Sequence, residues 1–90
     1  MGYSIFGYDL WNVKKSINSK EHIKLLEQLV QLRLKSGMTQ MEVSKKLKVP
    51  QSFVSKYETG ERRLDLIELK QICVVLGISL KDFVDGFEKQ

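Results

Sequence analysis

The chain has 90 residues and a mass of 10.5 kDa, which allows one domain, and its 42% hydrophobic and 29% charged residues are typical of a globular protein. No apolar run reaches the roughly 18 residues of a membrane-spanning helix, and the first residues lack the basic-then-apolar pattern of a secretory signal, so we expect a cytoplasmic protein with no membrane partner. One cysteine and one histidine exclude an internal disulfide, a zinc cluster and a histidine-rich metal site.

The net charge of +4 is unevenly distributed along the chain. Residues 20–60 contain eight basic and four acidic side chains, whereas residues 61–90 contain five basic and six acidic ones. Excess positive charge in the middle of the chain indicates an anionic partner, with nucleic acid favoured over a membrane surface.

The first nineteen residues form an apolar N-terminal segment that differs in composition from residues 20–90. Its large apolar side chains are Tyr3, Ile5, Phe6, Tyr8, Leu10, Trp11 and Val13. Phe6, Tyr8 and Leu10 alternate as they would in a strand, whereas Leu10, Val13 and Ile17 recur as they would in a helix. The sequence leaves both conformations open.

A first helix is predicted from about Lys20 to Lys35, with Gly37 ending it. Apolar side chains recur about every 3.6 residues along one stripe, which we expect to face the core. The members of this stripe are Ile23, Leu26, Val30 and Arg33 or Leu34.

Two short helices follow, separated by three residues. Thr39 and Glu42 have the spacing of a capping box, in which each side chain accepts a hydrogen bond from the other residue's amide, so a second helix is expected from Thr39 to Leu47. A third helix is predicted over 51–58, after Pro50, and Gly60 ends it.

The last two helices are also marked by their caps. Asp65 and Glu68 form a second capping box, which starts a fourth helix that runs to Leu76 and ends at Gly77. Ser79 begins a fifth helix. Its expected buried side chains are Leu80, Phe83 and Phe87.

The second and third helices have the lengths and connection of a helix-turn-helix. On a helical wheel the third helix has an apolar side, made of Phe53, Val54, Tyr57 and Glu58, and a polar side, made of Gln51, Ser52, Ser55 and Lys56. Small hydroxyl and amide side chains suit the reading of base edges in a major groove about 12 Å wide. A solvated polar face on an ordinary core helix is the alternative that this pattern alone leaves open.

Residues 23–83 resemble the Cro/C1-type, or Xre-like, helix-turn-helix family. The resemblance rests on Arg33, Met38-Thr39-Gln40, Val43, Leu47, the run from Val49 to Arg63, Leu69 and Leu76-Gly77-Ile78-Ser79. The resemblance implies an all-α fold, in which residues 20–90 form a five-helix, lambda-repressor-like DNA-binding domain. The apolar segment 1–19 is then an N-terminal extension of this domain. The resemblance also implies a homodimer that binds double-stranded DNA and controls transcription.

The resemblance carries over to individual positions. Gln51, Ser52 and Ser55 match the family's base-reading positions. Thr39 and Gln40 match its phosphate-binding helix start, where amides and the helix dipole favour an anion. The cations that flank the third helix, and that we expect to contact the DNA backbone, are Lys56, Arg62 and Arg63.

A second pair of family positions is structural. Arg33 and Glu58 lie on the apolar sides of the first and third helices, so we predict a buried, bidentate ion pair between them. The turn departs from the family at Lys48, where glycine is common, and at Pro50, where a serine cap is common. A left-handed conformation at Lys48 would cost roughly 1–2 kcal/mol.

Three apolar side chains lie outside the expected core stripes: Ile67, Val74 and Val84. Exposed apolar patches mark interfaces, so these residues are expected either to form a homodimer interface, which we favour, or to lie under the segment 1–19.

The sequence therefore predicts a repressor or autoregulator that reads an inverted-repeat operator as a homodimer. The alternative is an antitoxin-type module that binds DNA and captures a partner toxin through residues 1–19. No enzyme and no cofactor are predicted, because the single histidine and single cysteine provide no catalytic or metal-binding set.

Overall fold

The computed structural model of the chain describes residues 20–90, which form five helices and no strand. The helices are α1 (Lys20–Lys35), α2 (Gln40–Leu47), α3 (Gln51–Thr59), α4 (Leu66–Leu76) and α5 (Leu80–Glu88). The predicted all-α, five-helix fold is confirmed, with helix boundaries within one or two residues of those expected. The predictions about residues 1–19, including their separation as an extension, lie outside the described residues.

The predicted capping residues begin three of these helices. Thr39 Oγ1 accepts a hydrogen bond from the Glu42 amide at 3.1 Å, and the Glu42 carboxylate accepts one from the Thr39 amide at 2.9 Å. Asp65 and Glu68 repeat this reciprocal arrangement at the start of α4. Ser79 Oγ accepts from the Asp82 amide at the start of α5. Each bond satisfies an amide that the first helical turn leaves without an intrahelical acceptor.

The connections on either side of α3 both contain a left-handed residue. Lys48, which ends α2, has φ 61° and ψ 45°, so the strained conformation considered from the sequence is present. Pro50 precedes α3 and provides no side-chain cap. Gly60 ends α3 with φ 88°, and a Cβ added there would lie 3.3 Å from Leu26 Cδ1. Glycine therefore fits this position for both conformational and steric reasons.

All five helices contribute to one buried core. Its members are Leu29, Val43, Val54, Tyr57, Ile72, Cys73, Leu76 and Phe83. Phe83 is buried as predicted, while Leu80 and Phe87 are half-buried. A hydrogen bond also joins α1 to α5, because Gln28 Nε2 donates to the Phe83 carbonyl at 2.9 Å.

The predicted core stripe of α1 is wrong. Leu29 is fully buried, and Leu25 and Leu32 pack against the same core. Ile23 is 53% exposed and Leu34 is 56% exposed. This leucine-rich helix has apolar side chains on more than one side, so a repeat near 3.6 residues identifies a stripe without showing which stripe meets the other helices.

Cys73 belongs to the core, and burial raises the pKa of its thiol. The side chain therefore packs as a small apolar group. Within residues 20–90, no cluster of three or more His, Cys, Asp or Glu side chains is placed to hold a metal ion. None of the five helices is long and apolar enough to cross a membrane.

Candidate nucleic-acid interface

The two sides of α3 differ in burial as the sequence predicts. Val54 and Tyr57 are buried, and the Phe53 ring meets the Tyr57 ring edge-on with 5.8 Å between centroids. Burial raises the pKa of the Tyr57 hydroxyl, so this side chain stays neutral. Gln51 and Ser52 at the start of the helix are exposed. The core thus fixes one side of α3, and the opposite side is accessible.

Ser55 lies on the accessible side but is half-buried. Its Oγ donates a hydrogen bond to the Ser52 carbonyl at 3.3 Å. A hydroxyl has one donor and two lone pairs, so in this arrangement Ser55 presents an acceptor. The three predicted base-reading residues are therefore brought together over one turn of α3.

The carboxylate of Glu58 joins three elements at the C-terminal end of α3. Arg33 Nε donates to Glu58 Oε2 at 2.7 Å, and Arg33 Nη2 donates to Oε1 at 3.1 Å. Gln40 Nε2 also donates to Oε1, at 2.9 Å. The Arg33 and Glu58 side chains are only 12% and 6% exposed. The expected bidentate pair is present, and the Gln40 bond was not anticipated from the sequence.

Arg33 also donates a hydrogen bond to a backbone carbonyl in the connection between α1 and α2. Its Nη1 donates to the Met38 carbonyl at 3.0 Å. The hydrogen bond with Glu58 raises the pKa of the Arg33 guanidinium, although burial acts in the opposite direction. The end of α1, the start of α2 and the end of α3 are thereby held at fixed positions relative to one another.

The start of α2 was predicted to bind phosphate through Thr39 and Gln40. The Thr39 hydroxyl caps α2, and the Gln40 amide is bonded to Glu58. The hydrogen bonds that Glu42 receives from the Thr39 backbone and side chain lower the pKa of its carboxyl. Both predicted residues therefore have structural partners, and their contacts to DNA stay a prediction.

Arg62 follows α3 and is held from two sides. Its Nη1 and Nη2 donate to the two carboxylate oxygens of Glu68 at 3.1 and 2.8 Å, and Nη1 also donates to the Arg63 carbonyl at 2.7 Å. The guanidinium carbon lies 4.3 Å from the centroid of the Phe53 ring, a cation–π contact.

Sequence reasoning missed this arrangement. It placed Arg62 on the DNA backbone and used Glu68 only as a capping residue. The hydrogen bond with Glu68 raises the pKa of Arg62, and the bond from Arg62 is the main reason that the pKa of Glu68 is lowered. The six-residue spacing across a loop has no helical periodicity that would reveal the contact. Arg62 therefore has a structural role, and its contact with DNA stays a prediction.

Other exposed cations precede, belong to or follow α3 in the chain. Lys56 on α3 and Arg63 after it are exposed, as are Lys45 and Lys46 in the last turn of α2 and Lys48 in the turn that follows. The turn before α3 and the loop after it thus both present positive charge near the helix that exposes Gln51.

The predicted dimer-forming residues are exposed on α4 and α5. Ile67 is 62% exposed and Val74 is 68% exposed, and Val84 is also exposed. Ile67 and Val74 line a groove of about 490 Å³. The other lining residues are Lys46, Leu47, Lys70, Gln71 and Val75. This apolar surface is separate from the polar side of α3.

Comparison with known proteins identifies the same helix-turn-helix that the geometry of α2 and α3 indicates. The helix-turn-helix family model matches residues 29–83. An XRE-family like protein from Pseudomonas syringae pv. tomato str. DC3000 is 38% identical to this chain. That match covers 87% of this chain and 95% of the other, with a TM-score of 0.79.

A second relative is the restriction-modification controller protein C.Esp1396I. The wild-type controller is 27% identical, over 79% of this chain and 92% of its own, with a TM-score of 0.72. The same controller has been solved as a tetramer in complex with its natural 35 base-pair operator. No curated protein sequence matches the chain.

The chain therefore belongs to the Cro/C1-type, or Xre-like, helix-turn-helix family, and it is a DNA-binding transcription regulator.

Proposed function

We propose that this regulator is a repressor or autoregulator that reads an inverted-repeat operator as a homodimer, with α3 of each protomer in a major groove. The observation that carries the proposal is the division of α3 into a side fixed by the core and an exposed side. Val54 and Tyr57 are buried on one side, and Gln51 and Ser52 are exposed on the other.

The exposed groups suit direct reading of base edges. The Gln51 amide can donate to and accept from one adenine, and such a bidentate contact discriminates against other bases by about 1–3 kcal/mol. Ser52 can donate or accept, while Ser55 presents an acceptor because it donates to the Ser52 carbonyl. These three residues are proposed to read the operator.

The proposed contacts to the DNA backbone come from both flanks of α3. Lys56 and Arg63 are exposed there, and the start of α2 is tied to the end of α3 through Gln40 and Glu58. Thr39, Gln40 and Arg62 are proposed to add contacts through backbone amides or donors that their structural bonds leave unused. If about six to ten phosphates are contacted, affinity falls by roughly 10³–10⁵ between 50 and 200 mM salt.

The proposed dimer interface contains Ile67, Val74 and Val84. The first two lie on α4 and are more than three-fifths exposed, and Val84 lies on α5, which packs against α4. Burial of these apolar side chains against a second copy would remove them from water. A twofold dimer of this kind would place its two α3 helices in half-sites about 34 Å apart.

The test starts from DNA sites selected by the wild-type chain out of random sequence. Gln51→Ala should relax the preference at one position of each half-site, by about 1–3 kcal/mol per site. Lys56→Ala should weaken binding to all sequences alike and lower the salt slope by about 1. Gln31→Ala removes an exposed amide from α1, which is not among the residues proposed to contact DNA, and serves as the control.

Three results would contradict the proposal. Selected sites without twofold symmetry would exclude the dimeric reading, as would a 10.5 kDa monomer in sedimentation at micromolar concentration. Unchanged base preference in the Gln51→Ala protein would show that α3 does not read the operator in the proposed way.

A further inference from the structure

Helix α1 has a second apolar stripe that the described residues leave uncovered. Ile23, Leu26 and Val30 follow one another at spacings of three and four residues and line a groove of about 370 Å³. The opposite wall is the C-terminal end of α3, at Glu58 and Thr59. Leu26 and Val30 are half-buried, whereas Ile23 is more than half exposed. An exposed apolar groove of this kind indicates a surface that something covers.

We propose that the N-terminal segment of the same chain, residues 1–19, packs into this groove with Trp11 as its anchor. The first argument is connectivity. The segment joins α1 at Lys20, and Ile23 lies three residues further on, which is about 4.5 Å along the helix axis. An occupant tethered this closely has a high effective concentration at the groove.

The length of the segment also suffices. Val30 lies ten residues after Lys20, about 15 Å along α1. Trp11 precedes Lys20 by nine residues, which can span up to about 30 Å. The indole can therefore reach every part of the groove from the point where the chain enters α1.

The composition of the segment matches the groove. Aromatic and aliphatic side chains dominate residues 1–13, and such side chains bury the most apolar surface per residue. Lys14 and Lys15 outnumber the single acidic residue, Asp9, while the rim of the groove includes the exposed carboxylate of Glu27. Both the apolar surface and the sign of the charge are complementary.

The groove on α4 fits this segment less well. Its lining includes Lys46 and Lys70, which have the same sign as Lys14 and Lys15. It also lies on a different helix from the one that continues the segment. This difference separates the proposal from the homodimer interface, and the two do not depend on each other.

The consequence concerns the recognition helix. A segment in the groove would cover Thr59 and approach Glu58, so it would add apolar contacts beside the ion pair that holds the end of α3. The proposal thus goes beyond DNA binding and assigns residues 1–19 an intramolecular docking surface.

Trp11 is the chain's single tryptophan, so its fluorescence reports on the segment alone. In the full-length wild-type chain we expect blue-shifted emission and protection from acrylamide. Ile23→Ser should shift the emission to the red and remove this protection. Leu34→Ser makes a similar change at an exposed apolar side chain of the same helix that does not line the groove, and it should leave the emission unchanged. Unchanged far-ultraviolet circular dichroism would show that both variants are folded.

Other outcomes would overturn the proposal. Trp11 released by Ile67→Ser and not by Ile23→Ser would place the segment on α4. Protection that disappears on dilution would place it on a second copy, and protection that appears only with another protein would indicate a partner. As a measurement without substitution, nuclear Overhauser effects between the Trp11 indole and the Ile23 methyl groups are expected in the wild-type chain, and their absence would also exclude docking.

Discussion

The two ends of α3 are held in different ways. At the C-terminal end, Glu58 accepts hydrogen bonds from Arg33 and Gln40, so three helices meet in one largely buried cluster. At the N-terminal end, Lys48 is left-handed in the preceding turn and Pro50 provides no side-chain cap. The helix is therefore anchored strongly at one end and weakly at the other.

This difference corresponds to two separate roles along α3, in which one end orients the helix and the other is exposed. The anchored end is distant from Gln51 and Ser52, which are exposed in the first turn. Side chains that are proposed to read bases must be accessible, so they cannot also be buried for stability, and the orientation of α3 is fixed from its other end. The anchored end should thus control the free energy of unfolding, and the accessible end should control DNA recognition.

The largest expected effect tests the anchored end. Glu58→Gln removes the charge that compensates Arg33 and leaves a mostly buried guanidinium without its ion-pair partner. We expect the free energy of unfolding to fall by about 3–5 kcal/mol, measured by urea denaturation. A variant that unfolds like the wild type would show that the cluster does not anchor α3.

A double variant separates the charge from the packing. Arg33→Met with Glu58→Leu replaces both charged groups by apolar ones of similar size, and such replacements of buried pairs are often neutral or stabilising. We expect it to recover most of the stability that Glu58→Gln loses. A double variant as unstable as the single one would mean that the hydrogen bonds from Gln40 to Glu58 and from Arg33 to the Met38 carbonyl make the main contribution.

The next effect tests the accessible end and has the opposite sign. A left-handed residue other than glycine costs about 1–2 kcal/mol, while glycine gives the unfolded chain extra entropy worth about 0.5–1 kcal/mol. Lys48→Gly should therefore raise the free energy of unfolding by about 0.5–1 kcal/mol. Lys48→Ala removes the same charge but keeps a Cβ, so it should give no such gain. Equal stability of the two variants would show that the turn is unstrained.

The local features of this fold follow closely from the sequence. The capping boxes at Thr39 and Asp65 could be predicted because each involves residues three apart in one turn. The two sides of α3 could be predicted because its short apolar stripe leaves one choice of buried face. The Arg33 and Glu58 positions followed from the family resemblance, and each lay on an apolar side where an unpaired charge would be costly.

The features that the sequence did not predict depend on how helices meet. The buried stripe of α1 contains Leu29, whereas the stripe that includes Ile23 had the same helical periodicity and was chosen wrongly. The contacts of Arg62 with Phe53 and Glu68 join three separate segments, and no local pattern records such an arrangement. Residues that only tertiary packing brings together need coordinates to be found.

The smallest expected effect concerns the loop that follows the anchored end. The hydrogen bond from Arg62, and then the bond from the Asp65 amide, lower the pKa of the Glu68 carboxyl. In the unfolded chain the Glu68 carboxyl has its ordinary pKa of about 4.3, so below this pH it binds more protons than in the folded chain. The folded state therefore loses stability as the pH falls from this value through the lower pKa of the folded chain. Glu68→Gln should therefore flatten the loss of stability with acid, measured as urea midpoints from pH 5 to pH 3. Arg62→Met should flatten the acid-dependent loss of stability less, because the Asp65 amide still donates to Glu68.

The pair of Arg62 and Glu68 is more exposed than the pair of Arg33 and Glu58. At neutral pH, Glu68→Gln should therefore lower the free energy of unfolding by less than Glu58→Gln does. If Glu68→Gln lowered the free energy of unfolding as much as Glu58→Gln, the loop after α3, and not the buried cluster, would be the main anchor of the helix.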